Sequence, residues 1–397
     1  MTDIHEAVQG LRPSLVADRR HLHQHPELSG HERGTADFIA QRLRTLGLTP
    51  KRLVEGRAVV ADLDGARPGG HRLLLRADID ALPLLERGAD RPYRSLVDGA
   101  MHACGHDAHV AVALGVAELL TGMRSALAGT IRFAFQPAEE TAGGAQEMID
   151  QGAMSNPEME GALGLHVWSG LPAGTVGVRE GAIFASADEF RVVIEGRGGH
   201  GALPHQALDP IPIASMVVLA LQTLVSRETS PFQAAVVTVG KIEGGVVFNV
   251  IPDTVTLTGT VRAFTVEDRD RLLRRISEVA QGIAASFGAS ARTERGPGCP
   301  PVVSDARMAQ LVRAAVSASP GVVLIDPEPV TVGDDVSLFL RAVPGCYFLL
   351  GAGNAEAGIT APHHHPAFDL DEACLPVGVE VMARAALSFC ESGRPDA

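Results

Sequence analysis

"TIRFAFQPAEE", residues 130–140, is a largely apolar run stopped by Pro137 and followed at once by two glutamates. Apolar strands separated by helices are the mark of a sheet covered on both faces, and that is the reading taken for this run and its neighbours. The same grammar recurs outward along the chain. "RAVVADL" (57–63) and "HRLLLRADID" (71–80) precede the run, and "GALGLHVW" (161–168) and "CYFLLGAG" (346–353) follow it. Helical patterns of 10 to 15 residues lie between them, in "HVAVALGVAELLTGM" (109–123) and "GAQEMIDQGAM" (144–154). Strands alternating with helices of that length give an α/β domain. Such domains gather their sites at the carboxyl ends of strands.

Near residue 185 the pattern changes. A strand in "FRVVIEGR" (190–197), a long apolar helix after Asp209, strands in "AAVVTVGKIEG" (234–244) and "TVTLTGTVRAF" (254–264), and an amphipathic helix over 266–287 form a βαββα unit. It closes at the Pro/Gly-rich "RGPGCPPVVSD" (295–305), read as a linker, after which the α/β alternation resumes. The expectation is an α/β domain of residues 1–185 and 298–397, interrupted by an α+β domain of residues 186–297.

The chain of 397 residues exceeds what one core usually organises. A formal charge of −13 with no basic run argues against nucleic acid. No signal-peptide-like segment opens the sequence, and no window reaches the roughly 18 uncharged apolar residues of a membrane span, so a cytoplasmic location with no membrane partner is expected. Five cysteines, scattered and without a CxxC pair, argue against a disulfide framework and a zinc knuckle.

The chemistry concentrates in "MHACGHDAH" (101–109). In an extended segment Cys104 and His106 point the same way, and thiolate and imidazole both suit a borderline-soft divalent metal. Partners for them lie at other strand ends: Glu139 and Glu140 after Pro137, His166 in "GLHVW", and three histidines in "PHHHPAFD" (362–369). Adjacent glutamates can divide labour, one ligating while the other moves a proton. Asp78 or Asp80 in "ADIDALP" could orient a ligand histidine. Asp107 falls where it could cap the next helix or support the site, and His102 is given no role. "GRGGHG" (196–201) matches a dinucleotide fingerprint but is followed by Pro204 instead of a helix, so it is read as presenting His200 outward. The histidines of "HLHQHPELSGHE" (21–32) are read as exposed on a helix.

Together, "MHACGHDAH", "FQPAEE", "GLHVW", "GGHGALPHQALDPI", "NVIPD" and "HHPAFDLDE", in that order, resemble the amidohydrolase branch of the M20 metallopeptidases, which includes N-acyl-amino-acid, hippurate and auxin-conjugate hydrolases. The resemblance spans nearly the whole chain. It implies a zinc-exopeptidase-like catalytic domain, a mixed sheet covered by helices, interrupted by a lid that often dimerises. It also implies two divalent metal ions (Zn, Mn, Co or Ni) held by Cys104, His106, Glu140, His166 and His364, with His365 the competitor for the last place. By the same resemblance Cys104 bridges the ions, Glu139 is general base, His200 stabilises the oxyanion, and Asn249 and Arg262 bind substrate. Asp80 is taken as the residue that orients a ligand. The implied substrate is an N-acyl amino acid and the implied assembly a homodimer or homotetramer; the rivals are a dipeptidase or carboxypeptidase and a non-catalytic binding relative. Where relatives carry Glu-Asp-Phe, this chain has Asp334, Asp335 and Val336, which bears on substrate identity.

Overall fold

The computed structural model describes residues 4–87 and 91–393, so the extreme ends of the expected outer domain lie outside it. Along the chain, α1 (Ile4–Gln24) and α2 (Arg33–Thr45) precede β1 (Lys51–Leu53), β2 (Ala58–Asp64) and β3 (Arg67–Asp78). Then come α3 (His106–Gly122), β4 (Ala128–Gln136), α4 (Gly144–Asp150), β5 (Gly161–Pro172), β6 (Thr175–Gly177) and β7 (Gly181–Phe184). The middle of the chain gives β8 (Ala187–Glu195), β9 (Gly199–His200), α5 (Pro210–Ser226), β10 (Ala235–Gly244), β11 (Val250–Ile251), β12 (Thr254–Ala263), α6 (Val266–Ser286) and β13 (Ser290–Cys299). The last part holds β14 (Val302–Ser304), α7 (Ala306–Ser317), β15 (Val323–Ile325), α8 (Ser337–Ala342), β16 (Gly345–Gly353) and α9 (Cys374–Ser392).

The chain divides into two compact units. The first comprises 1–183, 303–328 and 335–397, and the second 184–302 and 329–334. The inserted segment therefore begins two residues earlier and ends five later than the sequence pattern suggests, and a short stretch far downstream returns to it. The later end has a clear cause. "RGPGC" is no linker but the end of β13, where Gly298 and Cys299 pair with Asp188 and Ala187 past a bulge. A Cβ at Gly298 would crowd the backbone of Ala187 and Asp188, so glycine here serves close strand approach.

In the first unit the sheet order is β1-β2-β4-β3-β5-β16-β6-β15. Its centre, β4-β3-β5-β16, is parallel, while β1, β2 and the β16-β6 pair run antiparallel, so the sheet is mixed. Its apolar runs are continuous because both faces are buried. Leu73 and Leu75 of β3 join a core with α1, α3 and α9, while Leu74 packs on the other face with Met148 of α4 and Phe339 of α8. Helix α3, apolar on all sides, lies wholly inside apart from its last turns.

The second unit has an antiparallel sheet, β10-β12-β8-β13, whose apolar face packs on α5 and α6 through Val192, Leu257, Val217 and Ile276. Asp209 caps α5 by accepting from the Ile211 N–H, and Thr265 caps α6 by accepting from Asp268 N–H.

Candidate metal centre

Loops of the first unit meet at the carboxyl end of its parallel strands, with Asp80 and Cys104 at the two ends of the one that joins β3 to α3. β3 ends at Asp78 and is followed by Asp80; β4 ends at Gln136 and is followed by Glu139 and Glu140; the turn before α3 carries Cys104; and the loop after β16 carries His363, His364 and His365. His166 is not at a strand end. It sits midway along β5, two residues past the pairing of Gly164 with Arg76 of β3 and in register with Leu349 of β16.

Cys104 and His106 do converge, though not as neighbours on an extended strand. His106 is the first residue of α3, and Gly105 between them adopts φ 90°. That left-handed turn swings the thiol back beside the imidazole. A side chain there would be strained and would meet Val167 Cγ2.

Among the described residues five donor sets have their ligand atoms mutually within 4.8 Å, and two of them contain Cys104: Cys104, His106 and His166, and Cys104, Glu140 and His364. They share only the thiol. Cys104 Sγ lies 3.5 Å from His166 Nε2, Glu140 Oε1 lies 3.4 Å from His364 Nε2, and His106 Nε2 lies 3.9 Å from Glu140 Oε1. Glu139 joins His106 and Glu140 in a further set. His364 adopts φ 61° and keeps 54% of its side chain exposed, whereas the other donors are largely buried. His365 turns away, its Nδ1 accepting from the Ala367 N–H at 3.1 Å. His363 engages its Nε2, which accepts from the Ser169 N–H at 3.2 Å, while its Nδ1 is buried without a hydrogen-bond partner.

Hydrogen bonds fix which nitrogen each ligand offers. His166 Nδ1 donates to the Val167 carbonyl at 2.6 Å and His106 Nδ1 donates to the Asp80 carbonyl at 2.9 Å, so each turns Nε2 toward the cluster. Asp80 accepts from Ser29 Oγ at 2.6 Å and from the Glu140 N–H at 3.1 Å, which ties the glutamate loop to the same carboxylate. One of its oxygens lies 3.3 Å from His106 Nδ1.

These residues fit a cation. His106 Nε2 and Glu140 Oε1 are buried without a hydrogen-bond partner, a cost rarely left standing in a folded protein. Burial pushes the Cys104 thiol well above its usual range, and Glu140, Glu139 and Asp78 push it further. Burial would lower the His106 imidazole, but Asp78, Asp80 and Glu140 outweigh it and raise it to about 10. The two shifts share a contribution from the surrounding carboxylates, which is added to burial at Cys104 and outweighs burial at His106. A divalent ion relieves that carboxylate charge by replacing the protons on thiol and imidazole.

A family model described as peptidase family M20/M25/M40 matches residues 74–388. The chain belongs to peptidase family M20. Among its relatives, the N-acetyl-L-cysteine deacetylase of Bacillus subtilis is 42% identical over 92% of this chain and 85% of its own length. Thermostable carboxypeptidase 1 of Saccharolobus solfataricus is 35% identical over 96% of this chain and 97% of its own. A solved structure described as the Bacillus subtilis YXEP protein, a dinuclear metal binding peptidase from the M20 family, superposes with a TM-score of 0.83 at 36% identity, covering 96% of this chain and 99% of that one. By family and fold this M20 chain is a metal-dependent hydrolase with a mixed α/β architecture.

Three expected substrate-facing residues belong to the second unit. His200 pairs with Val250 across the β9-β11 ribbon, and its Nδ1 accepts from the Ala202 N–H at 3.0 Å. Asn249 is exposed just before β11, and its carbonyl accepts from the Gly201 N–H, so the two residues lie on neighbouring segments of one ribbon. Arg262 stands on β12, in register with Val236 of β10.

Other residues of consequence escaped the sequence. The histidines of α1 are not all exposed: His23 is buried, with Nδ1 2.7 Å from Asp107 Oδ2 and Nε2 3.3 Å from Glu86 Oε1. Arg19, one turn earlier and equally buried, donates to Asp107 at 2.9 Å, Asp369 at 3.2 Å and Glu372 at 3.3 Å. Asp107 is thus the anchor of α1, while the helix start itself is at Gly105 without a side-chain cap. The signal was present as Arg19 and His23 four apart on one helix face. His109 also proves structural, donating from Nδ1 to Asp78 at 2.5 Å and accepting at Nε2 from the Val167 N–H at 2.9 Å.

Proposed function

We propose that this chain is a dinuclear-metal amidohydrolase that cleaves N-acyl amino acids, consuming water and releasing a carboxylate and a free amino acid. The observation that carries the reading is the pair of donor sets sharing Cys104, with the orphaned His106 Nε2 and Glu140 Oε1 inside them and Glu139 alongside. Cys104, His106, Glu140, His166 and His364 would hold two divalent ions. Once bound, such ions supply Lewis-acid polarisation of the scissile carbonyl and a water acidified toward neutrality. Glu139 takes a proton from the attacking water and returns it to the departing nitrogen, so the amide C–N bond breaks as a C–O bond forms. Asp80 fixes the ring of His106 and the backbone of Glu140. His200 donates to the developing oxyanion, Asn249 contributes a polar contact to substrate, and Arg262 pairs with the amino-acid carboxylate, for which a guanidinium is the natural bidentate partner.

The mixed thiol, imidazole and carboxylate donors suit Zn²⁺, Mn²⁺, Co²⁺ or Ni²⁺. Residues 186–297 serve as a lid and as the contact of a homodimer or homotetramer; support comes from apolar side chains standing in solvent there, Val246 and Phe248 almost fully and Leu219 at 71%. Among the described residues no helix is long and apolar enough to cross a membrane. We place the enzyme in the cytoplasm.

The test is metal content and turnover of purified protein. Cys104→Ala and Glu140→Ala should each lose bound metal, whereas Glu139→Gln should keep it and lose roughly 10²–10⁴ in kcat. Full metal in both ligand variants, or wild-type turnover in Glu139→Gln, refutes the assignment. The carboxypeptidase among the relatives makes peptidase activity the second reading. Faster hydrolysis of free dipeptides than of N-acetyl and N-benzoyl amino acids would favour it.

A further inference from the structure

Beneath the candidate metal centre lies a cation that takes no part in the chemistry described so far. Arg76 is buried at the end of the apolar run "LLLR" in β3, where a leucine would satisfy the sheet. A buried guanidinium costs several kcal/mol in desolvation unless good partners surround it, and Arg76 has them on both sides. Its Nη1 donates to Asp78 Oδ2 at 2.7 Å; its Nε donates to Gln136 Oε1 at 2.8 Å; its Nη2 donates to Asp335 Oδ1 at 3.3 Å.

Each side leads to one half of the site. On the Asp78 side, the carboxylate fixes His109 in the Nδ1–H tautomer, so Nε2 is left to accept the N–H of Val167. Val167 follows His166, and the His109 ring lies against those of His166 and His106, with centroids 4.7 and 5.4 Å away. On the Asp335 side, Oδ1 accepts from Gln136 Nε2 at 2.6 Å and Oδ2 accepts from the Ala145 N–H at 3.1 Å. Gln136 and Ala145 bracket residues 137–144, the loop that carries Glu139 and Glu140. That loop is held tightly, since Gly144 leaves no room for a Cβ against the Pro137 carbonyl.

We propose that Arg76 is a positioning residue that locks two parts of the site to each other: through Asp78 and His109 it sets the ligands His166 and His106, and through Gln136 and Asp335 it sets the loop that carries the base Glu139 and the ligand Glu140. The proposal rests on the dinuclear reading above. It assigns work to Asp335 in "GDDVSLF", and it makes His109 a strut between Asp78 and the Val167 N–H. It also opposes the simple electrostatic expectation. Removing a cation paired with Asp78, whose Oδ2 lies 3.5 Å from His106 Nε2, should by charge alone tighten metal binding; if position dominates, binding weakens.

The experiment uses full-length protein, with Co²⁺ as the probe in competition against a chromophoric chelator, the visible Co²⁺ spectrum, and kcat and KM at saturating Co²⁺. For Arg76→Met the expected result is Co²⁺ bound about 10–100-fold more weakly, an altered d–d spectrum and a lower kcat. Asp335→Asn, which frees the loop carrying both Glu139 and the ligand Glu140, should weaken Co²⁺ binding and lower kcat at saturating Co²⁺ roughly tenfold or more. His109→Gln should weaken Co²⁺ binding. Should Arg76→Met fail to fold, Asp335→Asn and His109→Gln decide the matter: both must weaken Co²⁺ binding, and wild-type affinity in either overturns the proposal. Co²⁺ bound as tightly as or more tightly than in wild type by a folded Arg76→Met, or an Asp335→Asn with full kcat, overturns the proposal. A wild-type protein that binds no Co²⁺ would instead overturn the dinuclear reading and the positioning role with it.

Discussion

Gly105→Ala is the substitution in which backbone, packing and site stand or fall together. Gly105 adopts φ 90°, and a Cβ built on it would overlap Val167 Cγ2 and touch Phe368 at 3.5 Å. Placing an L-residue in left-handed backbone costs about 1–2 kcal/mol. Overpacking a full core adds about 1–3 kcal/mol. The sum, about 2–5 kcal/mol, corresponds to a fall in Tm of roughly 4–20 °C at about 2–4 °C per kcal/mol for domains of a few hundred residues. Relief by moving Val167 has a second consequence, because its neighbour His166 and the N–H held by His109 move with it. Metal affinity should therefore fall along with Tm. The control is Gly10→Ala in α1, where a Cβ meets nothing within 4 Å and φ is not positive; relative to glycine it should gain roughly 0.5–1 kcal/mol. Thermal melts of the metal-free proteins, followed by Co²⁺ titration, make the comparison. A Gly105→Ala protein that melts within a degree of wild type and binds metal normally would refute the account of this turn.

Two further outcomes follow from the geometry. His364→Ala should lose metal from one of the two sites whereas His365→Ala should keep both, since His365 spends its Nδ1 on the Ala367 N–H; elemental analysis of the two proteins separates them. Arg19→Met should destabilise by about 3–5 kcal/mol in urea, because Asp107 and Asp369 lose a buried partner, and a loss under 1 kcal/mol would show that the pair contributes little.

The sheet was legible because a strand covered on both faces is mostly apolar, as "LLL" of β3 and "GALGL" of β5 are, although Arg76 and Arg132 are buried in the same sheet beside Asp78 and Asp62. The ligands were legible as residue types, since Cys104, His106 and Glu140 have few bland uses after apolar strands. The means of their convergence was not. An extended reading of "CGH" puts two side chains on one face, but the structure does it with a left-handed glycine at the start of α3, and a lone glycine between two donors does not announce its φ. β13 was lost for the opposite reason: Gly296, Pro297 and Gly298 look like punctuation, yet a bulge lets them pass inside a ladder whose partner strand needs the absent side chains. His23 departs from its expected exposure because Asp107, 84 residues beyond it, supplies the charge that lets it be buried. Such long-range compensation cannot be seen from either end alone.

The division of the chain into units has a practical side. The backbone crosses between them four times, and residues 329–334 return to the second unit, where Val330 bridges to Phe184 and Gly333 abuts Ala187. A fragment cut at 184 and 302 would be missing part of its own wall, and a chimera that exchanged only that interval would graft a domain with a foreign patch. The last crossing falls between Asp334 and Asp335, so a graft that takes the returning segment must stop one residue short of the carboxylate held by Arg76.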